Sequence, residues 1–307
     1  MLFRSSAILE KHSGHNIFQA FEHSGYNTRN EGKEGKILPQ KLFEALRDFA
    51  GEKDLPWYSL TANGVKFHQF VGAIQVGNYC IEVLPKIDRF RKDEGSAQRI
   101  LIEMLKQSGF ISVKTPTEST LKLKQNFILE TYIQMFIDET WELIHKGLVK
   151  FYHKDEGNRN SLKGNLLFNK HINRNNIHAE RFYVRFSTYD KEHPLNRILY
   201  KTLRLITKLP VSQDAVCSAA TQLTILPELE DVKINNELFE RIRYNRKTEQ
   251  YKKAINIARL LLLNYHPDLS HGRDNVLALM FDMNDVWEAW VTRRLSLISK
   301  KYDDRIF

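Results

Sequence analysis

Ile74 and Val76 alternate with polar positions, Gly77-Asn78 follows, and Ile81 and Val83 resume the alternation. A period of two marks a strand, and a Gly-Asn pair between two such runs closes an antiparallel hairpin. No other stretch restricts the fold as strongly, because a paired sheet needs an apolar layer to cover it. Residues 57 to 87 therefore predict a β-rich module closed by Leu84-Pro-Lys-Ile87. The forty residues that open the chain read as irregular, with Glu31-Gly-Lys-Glu-Gly-Lys36 as an exposed loop. Pro39 then starts a short helix with Leu42, Phe43, Leu46 and Phe49 on one side, and Gly51 stops it.

From Ser96 the period changes to that of a helix. Ile100, Leu101, Met104 and Leu105 form one stripe, ended by Gly109, and a longer one runs from Leu129 through Trp141 to Ile144, stopping at Gly147. Strands are expected at 148–152, 161–168 and 182–187. Helices are expected from Pro194, from about Ser212 and from about Thr248. A last helix, capped by Asp282 or Asn284, carries Val286, Trp287, Trp290, Val291, Leu295 and Ile298 at helical spacing. Two tryptophans on one stripe need a large apolar partner surface. This order predicts an α+β fold in four segments. They are a β-rich module (1–115), a helix with a basic strand hairpin (116–190), a helical region (191–275) and a final segment (276–307).

Lysine and arginine number 46 against 37 acids, and the formal net charge is +9. The excess is concentrated: nine of these cations and three acids (Asp155, Glu156, Glu180) lie between His145 and Arg185. Charge gathered in a strand-and-loop window suits a phosphate-bearing or acidic partner, or a solvated face. Within it, Lys150, Lys154, Arg159, Arg181 and Arg185 are the candidate nucleic-acid contacts. Cys80 and Cys217 are the only cysteines, which excludes a disulfide framework and fits a reducing, cytoplasmic setting. No apolar run approaches a membrane span of roughly 18 residues.

Catalytic patterns are sparse. Neither a P-loop, nor a GxGxxG after a strand, nor a G-x-S-x-G elbow is present, so the chain itself should hold no nucleotide and no serine nucleophile. A metal-dependent nuclease of the PD-(D/E)xK type needs carboxylates that hold Mg²⁺ and a lysine facing the developing charge. The acid-x-Lys triplets at Glu31–Lys33, Glu34–Lys36 and Asp231–Lys233 lack the preceding acid at strand spacing. His12, His15 and His23 are near in sequence without a completing Cys or carboxylate. No catalytic residue and no metal ligand is assigned.

Five segments in order resemble the McrC subunit of McrBC-type restriction systems, which cleave DNA containing 5-methylcytosine. They are Val71–Ile87, Leu162–Ile172, Tyr189-Asp190 with Pro194–Leu199, Ala258–Leu261, and Ala278–Glu288. The resemblance implies a partner, a McrB-like AAA+ GTPase that binds the GTP and reads and translocates DNA. It also implies a finger-like projection that docks on the motor ring and stimulates GTP hydrolysis. Lys163, Gly164, Asn165, Lys170 and Arg174 become the candidate partner contacts, with Gly164 permitting close approach of backbones.

The family pattern continues past Phe281-Asp-Met-Asn284 into a Pro-Asp and an Asp-Ala-Lys on strands, and this sequence reaches Phe307 without them. The resemblance therefore implies a chain truncated before its nuclease core. The last helix would open a PD-(D/E)xK domain, and Mg²⁺ would belong only to the missing part. The alternative is a stand-alone basic nucleic-acid-binding protein without a motor.

Overall fold

The computed structural model describes residues 10–12, 15–29, 36–51, 55–86, 94–109, 128–178, 180–266 and 276–303. The chain begins with strands β1 (Glu10–His12), β2 (His15–Phe21) and β3 (Gly25–Asn27) and helix α1 (Gln40–Ala50). Strands β4 (Tyr58–Thr61), β5 (Gly64–Phe67), β6 (Phe70–Val76) and β7 (Tyr79–Leu84) follow. Next come α2 (Glu94–Ser108), α3 (Ile128–Lys146), β8 (Phe151–Arg159), β9 (Asn165–Leu166), α4 (Phe168–Asn175) and β10 (Phe182–Asp190). The last part holds α5 (Pro194–Ile206), α6 (Gln213–Ile225), α7 (Asn236–Arg241), α8 (Lys252–Leu263), β11 (Tyr265–His266), β12 (Val276–Asp282) and α9 (Met283–Asp303).

The hairpin expected at Gly77-Asn78 is β6–β7, with Ile74 opposite Ile81 and Gly77 at a φ of 52°. It sits inside a six-stranded sheet of order β1-β2-β7-β6-β12-β11. Neighbours run antiparallel except β2 and β7, which are parallel. Both faces of this sheet are covered. Ile74, Val76, Ile81 and Val83 pack with α1 and the small sheet β3-β5-β4. Val71, Ala73, Cys80 and Leu84 face a helical layer containing α2, α3, α5, α6 and α8. The polar members of the alternation are buried as a result. The Glu82 carboxylate is fully enclosed and accepts from Gln98 Nε2 at 3.0 and 3.1 Å, Gln19 Nε2 at 3.2 Å and Ile128 N at 3.0 Å. A buried carboxylate persists only with donors of this kind around it.

Several sequence expectations are corrected. The stretch read as irregular contains β2, whose residues Ile17, Phe18 and Ala20 are buried between the two layers. The strand expected at 161–168 is only Asn165–Leu166, and helix α4 follows it. The loop reading of 31–36 lies, but for Lys36, outside the described residues. Val276–Asp282 is a strand paired with β6 along seven residues, so the final segment begins inside the N-terminal sheet. Gly72 makes that pairing possible: with a φ of 141°, a Cβ there would lie 2.0 Å from the Leu279 carbonyl oxygen.

Asp282 caps α9, its Oδ1 accepting from Asn284 N at 2.9 Å. The first turns of α9 return to the body, with Val286 buried and Trp290 Nε1 donating to Gln107 Oε1 of α2 at 2.9 Å. Farther along, Leu295, Leu297 and Ile298 are exposed. The Trp stripe is therefore half used. The described residues include no helix long and apolar enough to cross a membrane.

Candidate partner and nucleic-acid interface

The basic window folds as one unit. Gly147, at a φ of 89°, ends α3 and releases the chain into β8. β8 and β10 pair antiparallel over nine residues each, from Phe151 opposite Asp190 to Arg159 opposite Phe182. Such a ribbon is about 30 Å long. β9 pairs with the other edge of β10 at Val184 and Arg185, and α4 packs on β10. Tyr183 and Val184 are buried here yet belong to neither of the two cores of the body. The ribbon with α4 thus has its own small apolar centre.

Two residues that sequence reasoning missed hold this unit together. Asn175, 5% exposed at the end of α4, places Nδ2 2.8 Å from Asn158 Oδ1 and 3.3 Å from the Arg181 carbonyl. His171 Nδ1 accepts from Tyr183 N at 3.3 Å. Neither carries a signal in the sequence, because a lone Asn or His in a polar window resembles any solvated residue. Gly164 is required by the ribbon itself. Its φ is 109°, and a Cβ would come within 2.3 Å of the Arg185 carbonyl oxygen. The close backbone approach expected of this glycine is made within the chain.

The ten candidate residues do not share one surface. Lys163 and Asn165 flank Gly164 where the exposed connection from β8 enters β9. Lys170 and Arg174 lie on α4 against the Tyr183 ring, and Arg174 Nη1 donates to the Tyr183 hydroxyl at 3.2 Å. Arg185 gives Nε and Nη2 to Glu156 Oε1 at 2.8 and 2.6 Å, and Lys170 pairs with the other oxygen of the same carboxylate. Hydrogen bonds from Lys170 and Arg185 hold the Glu156 carboxyl below the usual carboxylate range. Arg181 pairs with Glu180 at 3.4 Å, and Arg159 stacks over Phe186 at 4.1 Å. Period two puts Phe186 and Arg159 on the opposite face from Arg185. Lys150 and Lys154 remain near the root of the ribbon, beside the exposed Tyr152 and Tyr189.

Large apolar side chains are exposed at the far end. Leu162, Phe168, Ile172 and Ile177 are 58%, 65%, 49% and 91% exposed, and Phe168 and Ile172 are one helical turn apart on α4. Apolar side chains exposed together are the kind of surface that a partner can cover.

Sequence comparison places this geometry. The family model described as McrBC 5-methylcytosine restriction system component matches residues 65–306. The chain belongs to that family. The McrBC fold is also seen in solved structures. A chain of the cryo-EM structure of the Thermococcus gammatolerans McrBC complex superposes with a TM-score of 0.67 at 19% identity, over 91% of this chain and 87% of that one. A chain of the refined half-complex from a tetradecameric assembly of Thermococcus gammatolerans McrB AAA+ hexamers with bound McrC gives 0.66 at 19% identity, over 90% and 69%. No curated protein matches the sequence.

The acid-x-Lys triplet that can be inspected in this McrBC family member is committed elsewhere. Asp231 lies in an extended connection between α6 and α7, where its Oδ1 meets Lys201 Nζ of α5 at 2.9 Å. The bond from Lys201 holds its carboxyl low, and the same ammonium donates to the Val232 carbonyl at 2.6 Å. Of the other two triplets, Glu31, Lys33 and Glu34 lie outside the described residues. Among the described residues no three His, Cys, Asp or Glu side chains converge as a metal site.

Proposed function

We propose that the chain is the McrC-like component of a modification-dependent DNA restriction complex, and that its β8–β10 ribbon docks on a McrB-like AAA+ GTPase and stimulates GTP hydrolysis. The observation that carries this reading is the exposed apolar set Leu162, Phe168, Ile172 and Ile177 at the end of a ribbon outside both cores. Membership of the McrBC family and the likeness to an assembly of McrB AAA+ hexamers with bound McrC support it. Lys163 and Asn165 add hydrogen-bonding groups beside that apolar end, whereas Lys170, Arg174 and Gly164 shape the ribbon. The motor binds the GTP. Mg²⁺-dependent phosphodiester cleavage would need carboxylates converging on paired strands; Asp231 is tied to Lys201 in a connection, and among the described residues no such cluster forms.

The division of the cations between two faces and an ion-pair network disfavours the stand-alone reading, in which one broad basic surface grips a nucleic acid. GTP turnover by the cognate motor, measured with and without the chain, tests the proposal. Stimulation and co-purification are expected, and both should be lost in Phe168→Asp with Ile172→Asp. Equal turnover in the presence and absence of the wild-type chain, with no co-purification, overturns it.

A further inference from the structure

We propose that Tyr152 and Tyr189, with Lys150 and Lys154 beside them, form a platform at the root of the ribbon that binds an unpaired base and its flanking phosphates in single-stranded nucleic acid. The two tyrosines are directly opposite in register. Their rings stack with centroids 4.5 Å apart and planes 29° apart. Tyr152 is 73% exposed and Tyr189 50%, so the pair buries little apolar area on this protein. A second aromatic stacked on an exposed one presents a broad, preorganised π surface, and every nucleobase has a face that fits it.

The charge around the rings selects the ligand. Lys150 Nζ lies over the Tyr189 ring, 5.9 Å from its centroid. Lys154 follows Tyr152 by two residues on the same strand and therefore on the same face, about 7 Å along. Both lysines are exposed, and among the described residues neither has a carboxylate partner. Ser187, neutral, is opposite Lys154, and the next acid on that face, Glu156, is taken up by Lys170 and Arg185. Positive charge on either side of an aromatic stack matches a base with a phosphate on each side. Duplex bases are already stacked and cannot reach such a surface without being extruded. A protein partner is better served by the apolar far end of the ribbon. The platform does not depend on the docking role and is separate from it in space.

Fluorescence anisotropy of a fluorescein-labelled oligothymidylate, titrated with the full chain at low salt, tests this. Binding should weaken steeply as salt rises. Tyr152→Ala should weaken it about tenfold, within the range for loss of one stacked base, and Tyr152→Trp should retain it. Lys150→Glu with Lys154→Glu should weaken it and flatten the salt dependence. All three substituted positions are exposed, so circular dichroism of the variants should match the wild type. Equal affinity of the wild type and Tyr152→Ala overturns the proposal, as does no binding by the wild type at low salt. Duplex bound as tightly as single strand overturns the stacking role. If Tyr152→Ala abolishes association with the motor and leaves oligothymidylate binding intact, the platform is a protein contact and the proposal fails.

Discussion

The Tyr251 hydroxyl donates to Asn196 Oδ1 at 3.0 Å, and these two buried side chains hold both strands at the root of the ribbon. Val149 N, just before β8, donates to the same hydroxyl at 2.8 Å. Asn196 Nδ2 donates to the Val149 carbonyl at 2.9 Å and to the Lys191 carbonyl, just after β10, at 2.8 Å. Tyr251 and Asn196 stand on different parts of the helical layer, so the ribbon's direction is fixed by the packing of α5 against α8.

Tyr251→Phe should test that clamp. It leaves Val149 N and Asn196 Oδ1 without their buried partner, which costs about 1–3 kcal/mol. Urea denaturation should show a lower midpoint. Amide exchange along 151–159 should accelerate more than along β6. Unchanged exchange in the ribbon would mean its direction is set elsewhere.

Two glycines separate body from ribbon. Gly72→Ala drives a Cβ into the Leu279 carbonyl between β6 and β12, and should destabilise the whole protein by more than about 3 kcal/mol. Gly164→Ala meets the Arg185 carbonyl, and should loosen β9 and α4 while the main unfolding transition moves by about 0.5 kcal/mol or less. Thermal melts combined with exchange mapping distinguish the two. A Gly164 variant that lowers the main transition as far as the Gly72 variant would show the ribbon and body to be one cooperative unit.

Glu22 gives a pH-dependent prediction. It is 8% exposed, and burial raises its carboxyl pKa even though Oε1 accepts from Lys86 N at 3.0 Å. A folded value above the unfolded one means the native state binds the proton more tightly. The penalty is absent below the unfolded value of about 4.3 and grows as pH rises through the folded value. Glu22→Gln, which keeps an acceptor for Lys86 N, should match the wild type in acid and be the more stable protein at neutral pH. A stability difference that does not change with pH would exclude this account.

Glu156→Gln removes the carboxylate shared by Lys170 and Arg185. Two cations on the Tyr152 face are then uncompensated. Retention on a heparin column should increase, with elution at higher salt than the wild type. The paired Glu156 has a depressed pKa, so its support of the ribbon is present above the ordinary carboxylate range and is lost as pH falls through the folded value. Acid titration should therefore lower the protection of the Arg185 amide, relative to its intrinsic exchange rate at each pH, in the wild type and not in the variant.

Much of the secondary structure was legible, for reasons that can be named. Gly77-Asn78 between alternating runs could only turn, Pro194 could only start a helix, and Gly109 and Gly147 adopt the positive φ that ends one. What could not be read was pairing between distant segments. Val276–Phe281 is a continuous apolar run because both its faces are covered, and such a run has no period to distinguish strand from helix. The interface was half legible. The charge of the 145–185 window is a property of composition, but its division by Glu156 and Asn175 depends on which residues α4 brings onto β10.

The amino-acid sequence by itself determined the local periods, the helix ends, the basic window and the resemblance to the McrC subunit, since each depends on neighbours within a few turns of chain. Tertiary structure alone decided that β12 joins the first sheet, that Tyr251 and Asn196 anchor the ribbon, and that Tyr152 stacks on Tyr189 in the open. Those outcomes depend on contacts between residues 37 to about 200 positions apart, and no local pattern encodes which of many apolar or polar partners will close such a loop.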